Sequence, residues 1–236
     1  MEWILIVVIV AVISIALIAT GIYYHIHRDR SDYQDGGGTQ LGGSEKIPFF
    51  SPANDRAGML GEKFVNKHLR LLLREDEYLL ANLLIPLSNG HKNEIDCVLI
   101  SRKRIFCIEI KNWVGHISGN DEDEKWLQQY DYPYMKDIKR NNPVKQNEGQ
   151  CHTLKRVLQN KYYIEGAVIF ADLEDGTGID SNYTFTINAF KEWYRLLDDT
   201  IPQEELKMVH KKLSQYVATP EQLKKHKEDL KKRINN

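Results

Sequence analysis

Apolar and polar positions along this chain follow different periods, and the changes of period divide it. From Trp3 to Tyr24 there is no charged residue, and Ser14 and Thr20 are the only clearly polar side chains. As a helix that run spans about 33 Å, enough for a hydrocarbon core of about 30 Å. A buried core helix of this length normally keeps a polar stripe. A cleaved signal peptide has a basic leading region and a shorter apolar run. The pattern therefore predicts a single uncleaved transmembrane anchor within residues 1–28. From Asp29 to Lys46 the apolar pattern lapses around Gly36-Gly37-Gly38 and Gly42-Gly43, which predicts a flexible tether over 29–46.

Helical spacing begins after the tether. Met59, Leu60, Phe64, Val65, Leu69 and Leu72 form one stripe and predict a helix over 55–73. Strands are predicted over 78–87, 94–101 and 105–113. The last two make a hairpin across the short Arg102-Lys103-Arg104 link. An extra strand or loop follows over 114–134. A helix is predicted over 143–159, with Asn141 or Asn142 as cap and Pro143 in its first turn. Glu165 to Ala171 looks like a buried strand, and Tyr183 to Ile187 like a short edge strand. Helices are predicted over 189–198, 203–217 and 220–234, the last opened by the capping-box pattern Thr219-Pro220-Glu221-Gln222. The fold class is therefore α/β, a mixed sheet flanked by helices, preceded by a single transmembrane helix. The division expected is anchor 1–28, tether 29–46, a domain over 47–171, and a C-terminal strand and helices over 172–236.

Charge adds orientation. His25, His27, Arg28 and Arg30 follow the apolar run, and no Lys or Arg precedes it. The positive-inside bias places the soluble part in the cytoplasm, as a single-pass membrane protein. Three cysteines without metal-ligand spacing suit a reducing compartment, and Cys97 and Cys107 read as small buried hydrophobes. The formal net charge of −1 excludes a chain that is basic overall. The segment 224–233 is nonetheless rich in lysine.

Candidate chemistry lies in the hairpin. Its first strand carries Glu94-Ile95-Asp96, its second Glu109-Ile110-Lys111-Asn112-Trp113. Alternation puts Glu109 and Lys111 on one face, and Asp96 can approach Glu109 from the neighbouring strand. Two adjacent carboxylates repel unless a cation lies between them. Mg²⁺ suits such oxygens, keeps several waters and accepts a phosphate oxygen. A lysine beside it can stabilise developing negative charge, the arrangement needed for phosphodiester hydrolysis. Glu-x-Lys on a strand is by itself a common solvated pair. Here, however, the charges interrupt runs that look core-bound. Glu94, His116 and His152 are read as surface or supporting groups, and Trp113, Gly115 and Gly119 as shaping the turn beyond the strand.

Gly58-Met59-Leu60-Gly61-Glu62, Glu94-Ile95-Asp96, Ile108 to Gly115, and Asn142-Pro143-Val144-Lys145-Gln146 together, in this order, resemble the nuclease-related domain, NERD. That family is similar to the wider PD-(D/E)xK nuclease superfamily. The resemblance covers about 55–170 and implies a restriction-endonuclease-like core. It implies metal binding by Asp96 and Glu109 with Glu62 approaching from the first helix, Lys111 as the catalytic lysine, and Gln146 completing the site near a substrate phosphate. The expected function is Mg²⁺- or Mn²⁺-dependent hydrolysis of nucleic acid, DNA in the first place, at a membrane. The alternatives are a non-catalytic nucleic-acid or protein binding module on the same fold, and a protein partner or self-association through the C-terminal helices.

Overall fold

The apolar strand runs become the middle layer of the molecule. The computed structural model describes residues 52–131, 135–173 and 178–234. The expected anchor over 1–28 and the tether over 29–46 lie outside the described residues. Among the described residues, no helix is long and apolar enough to cross a membrane. In chain order the elements are α1 (Pro52–Arg70), β1 (Tyr78–Pro86), β2 (Lys92–Ile100), β3 (Ile105–Lys111), β4 (His116–Asn120), β5 (Lys125–Gln129) and β6 (Ile138–Asn141). There follow α2 (Pro143–Val157), β7 (Ile164–Phe170), β8 (Gly178–Asp180), β9 (Thr184–Thr186), α3 (Ile187–Leu196), α4 (Gln203–Ser214) and α5 (Pro220–Ile234).

The larger sheet runs β1-β2-β3-β7-β9. β1, β2 and β3 are antiparallel, because short links join them. β7 lies parallel to β3, and β9 parallel to β7, as a long crossover through α2 permits. Each face is apolar and each is covered. Cys151 and Leu154 of α2 with Leu158 at its C-cap, and Leu206, Val209 and Leu213 of α4, pack on Val98, Ile100, Ile105 and Cys107. Val65 and Leu69 of α1 and Phe190 and Tyr194 of α3 pack on Cys97, Leu99, Phe106 and Ile108. All three cysteines are free and buried. The stripe of α4 is consumed by this packing.

Where one mixed sheet was expected, there are two. The stretch read as an extra strand or loop, with β6 and β8, forms a four-stranded sheet β6-β5-β4-β8. It is seated by Trp126, which stacks on Phe170 with centroids 6.4 Å apart and is joined by Ile117, Val144 and Val168. Gly119 permits this seat: at φ +153, a Cβ there would lie 2.3 Å from Trp126 Cδ1.

Two helix boundaries moved for identifiable reasons. α3 begins at Ile187 rather than 189, because Thr186 caps it through Ala189 N (3.2 Å). α4 stops at Ser214 rather than 217, because residues 216–218 leave the helix to pair with the outer edge of β1. There Leu84 N donates to Tyr216 O (2.9 Å) and Ala218 N to Asn82 O (2.9 Å), across a left-handed Asn82 (φ 57). The predicted capping box of α5 forms: Gln222 N donates to Thr219 Oγ1 (3.3 Å) and Thr219 N to Gln222 Oε1 (2.9 Å).

Candidate active site at the fork of β2 and β3

β2 pairs with β1 as far as Lys92, but its pairing with β3 stops at Cys97↔Ile108. Beyond that point the two strands diverge, while β3 stays in register with β7 through Lys111↔Phe170. The carboxylate of Asp96 fills the fork: its Oδ2 accepts from Ile110 N at 2.8 Å. Asp96 thus meets β3 through a backbone amide that the ladder has released. The neighbouring side chain, Glu109, is only 2% exposed.

Glu109 is held by three donors. Lys111 Nζ and Gln146 Nε2 (2.8 Å) reach Oε1, and Gln150 Nε2 reaches Oε2 at 2.6 Å. Lys111 Nζ also donates to Gln146 Oε1 (3.1 Å), closing a triangle. Gln146 and Gln150 share one face of α2 by their four-residue spacing. The start of that helix is fixed from both sheets. Asn142 Oδ1 accepts from Val144 N (2.9 Å), while its Nδ2 donates to the carbonyls of Asn120, Asp121 and Asp123. Asn147 Nδ2 donates to Cys107 O of β3 (3.1 Å), and Gln150 Nε2 also donates to Glu94 O (3.0 Å).

Glu62 arrives on α1. Gly61 lets that helix close on the end of β3, since a Cβ there would lie 2.7 Å from Asn112 Cβ, and Asn112 Nδ2 donates to Ala57 O (2.9 Å). Glu62 is half-buried and within electrostatic range of Glu94, Glu109 and Lys111.

Two carboxylates of the site are raised, Asp96 and Glu62. Burial first, then the Glu109 and Glu62 charges, pushes Asp96 well above the usual carboxylate range against the pull of Lys111 and the Ile110 amide. Burial also raises Glu62; Lys227 opposes this, and Glu94 and Glu109 add to it. Burial alone would lower the Lys111 ammonium, but Glu109 and Asp96 outweigh it and hold the proton more firmly than in a free lysine.

Of the residues singled out in the sequence, Glu109, Lys111 and Gln146 are brought into one hydrogen-bonded group, with Asp96 one amide away and Glu62 facing it by charge alone. His116 is elsewhere, exposed and paired with Asp131 (3.0 Å). Trp113 forms a rim, with Lys111 Nζ and the Arg140 guanidinium over its ring at 5.7 and 5.6 Å. Gln150 went unnoticed, although its position four residues after Gln146 on a predicted helix was the available signal. His226 and Lys227 of α5 were missed as neighbours as well: His226 Nε2 lies 3.7 Å from Glu94 Oε2.

Carboxylate oxygens are hard donors suited to Mg²⁺ or Mn²⁺, and the Glu109 and Glu62 charges both add to the elevation of Asp96. Among the described residues, no group of three or more His, Cys, Asp or Glu side chains already stands in position to hold a metal. The donor chemistry fits, with Glu109 engaged by Lys111 and the two glutamines.

A relative from Bacillus anthracis, an uncharacterized protein, is 31% identical over 104 residues, which make up 44% of this chain and 48% of that protein. The chain thus spans about half the length of the curated relative it matches. No solved structure matches it. Residues 57–171, which hold Glu62, Asp96, Glu109, Lys111, Gln146 and Gln150, match the family model of the nuclease-related domain, NERD.

Proposed function

We propose that this protein is a membrane-anchored, Mg²⁺- or Mn²⁺-dependent nuclease that hydrolyses phosphodiester bonds, with DNA as its substrate. The observation that carries the reading is the buried Glu109 carboxylate bonded to Lys111, Gln146 and Gln150 beside the Asp96-filled fork. Asp96 and Glu109 would hold the ion, with Glu62 behind them. When bound, the ion polarises a phosphoryl oxygen and lowers the pKa of an attacking water. Lys111, whose proton is held tightly, acts as a fixed positive charge toward the oxygens of the pentacovalent phosphorus and not as the base. Water oxygen bonds to phosphorus as the bond to the leaving deoxyribose oxygen breaks, the water giving one proton to solvent and the leaving oxygen taking one from solvent. Gln146, tied to both Glu109 and Lys111, sets the approach of the phosphate. Gln150 holds Glu109 in one rotamer.

The apolar run Trp3–Tyr24 supplies the anchor in this reading, and the tether of about 18 residues gives a reach of only about 25 Å. Nucleic acid is therefore met close to the membrane, on the cytoplasmic side.

One observation favours a second reading, a binding module without catalysis: both Glu109 oxygens are satisfied by protein donors. Cleavage of plasmid and of short DNA and RNA duplexes by the full chain, with Mg²⁺ or Mn²⁺, separates the two. The nuclease reading expects metal-dependent cleavage that Lys111→Ala abolishes while metal still binds. Binding of nucleic acid that is indifferent to metal, without cleavage in any form, favours the module.

A further inference from the structure

A cavity of about 400 Å³ lies between the β1–β2 turn and α5, within the usual range of ligand pockets (roughly 300–1,000 Å³). Its lining is predominantly basic: His91, Lys92, Lys225, His226 and Arg233, against the single acid Asp229. Arg233 Nη1 donates to His91 Nδ1, which leaves the other ring nitrogen of His91 to carry the hydrogen as a donor. The cavity adjoins the site. His226 lines it and also faces Glu94, whose carbonyl accepts from Gln150, the residue that grips Glu109. Lys92 lies on the same strand as Asp96, about 13 Å along it by strand rise. That is about two nucleotide steps along one strand of a duplex, because successive phosphates wind around the axis as well as rising about 3.4 Å along it. Among the residues of α5 whose burial is described, none is fully buried.

We propose that this cavity is a phosphate seat: it takes a backbone phosphate of the nucleic acid whose scissile phosphate lies at the Asp96–Glu109 fork, about two nucleotides away. The inference rests on the nuclease reading and extends it to the substrate's footprint. A lipid phosphate has the same chemistry. The cavity's side-chain continuity with the fork favours nucleic acid, since one strand can occupy both.

The test is fluorescence anisotropy of a labelled 20-base-pair duplex with the full chain in detergent and EDTA, over a salt series. Lys225→Ala with Arg233→Ala is expected to weaken binding about tenfold or more and to reduce the slope of log affinity against log salt by about two. Lys225→Ala alone, an exposed position, reduces the slope by about one. The charge-keeping pair Lys225→Arg with Arg233→Lys stays near wild type. Lys232→Ala, on the same helix but outside the cavity, shifts affinity less than twofold. Wild-type binding that the alanine pair leaves unchanged would overturn the seat while the nuclease reading stands, and an equal loss from Lys232→Ala would also overturn it, as diffuse helix charge. Short-chain phosphatidylserine that binds wild type, loses affinity in the alanine pair and leaves the duplex bound would assign the cavity to a headgroup and end the proposal. A wild-type chain that binds no nucleic acid would remove both readings.

Discussion

Glu109 accepts from three side chains while almost wholly buried, so its loss and the loss of a partner are not equivalent. Glu109→Ala takes away the anion that faces the Lys111 ammonium and one acceptor from each of Gln146 and Gln150, leaving Lys111 on Gln146 Oε1 and Gln150 on Glu94 O. Breaking a buried pair in this way costs about 3–5 kcal/mol, which urea denaturation would read. Gln150→Ala, which removes one neutral donor, should cost about 1–2 kcal/mol by the same measurement. Asp96 predicts a pH dependence. Its folded value lies above the usual 3.8, so below about pH 4 it is protonated in both states and carries no penalty. As pH rises, the unfolded chain releases a proton that the folded chain retains, and stability falls until Asp96 ionises in the fold. Melting of the metal-free chain should therefore fall relative to Asp96→Asn as pH rises above about 4, and the two curves should run together if burial does not perturb Asp96. At this scale the carboxylates and Lys111 were legible because charges stood out against apolar strand runs. Gln150 was not, since a glutamine on a polar helix carries no contrast until its partner is known.

Helix α2 is the element that decides the site. Pro143 and Asn142 announced its start in the sequence, but the three carbonyls that Asn142 also ties down belong to the β4–β5 turn and beyond, which no local pattern joins to the cap. Asn142→Ala should lose about 1–2 kcal/mol for the cap alone and free the first turn, shifting Gln146 and Gln150 from Glu109. A lower melting temperature together with weaker metal binding is the expected outcome; a lower melting temperature with unaltered metal binding would detach the cap from the site. The second sheet was the least legible element. β4, β5, β6 and β8 have five residues or fewer and few buried positions, so a period-2 signal barely develops over them. Their pairing depends on Trp126 reaching Phe170 from far along the chain. The hairpin β2–β3 and the buried strand β7 were plain because apolar, β-branched runs with short links leave few alternatives. The place where β2 leaves β3 was not plain, because the departure depends on an Asp side chain replacing a ladder acceptor.

At the scale of the molecule, basic character is concentrated where the overall charge of −1 conceals it. α5 sets His226 opposite Glu94 and brings Lys227 into electrostatic range of Glu62, beside an acidic fork. The lysine-rich segment was visible in the sequence, but its position against β2 follows only from the return of the chain along β1 at residues 216–218. The expected topology gives its own prediction: added protease should leave the domain intact in whole cells and digest it once the cells are opened. Digestion in whole cells would reverse the orientation. The most direct test of the central claim is calorimetric titration of Mg²⁺ and Mn²⁺ into the full chain, with Glu109→Ala and Asp96→Asn beside it. The account predicts binding by wild type that both substitutions abolish or weaken at least tenfold; absence of binding by wild type with a nucleic-acid strand present, or binding indifferent to both substitutions, would contradict it.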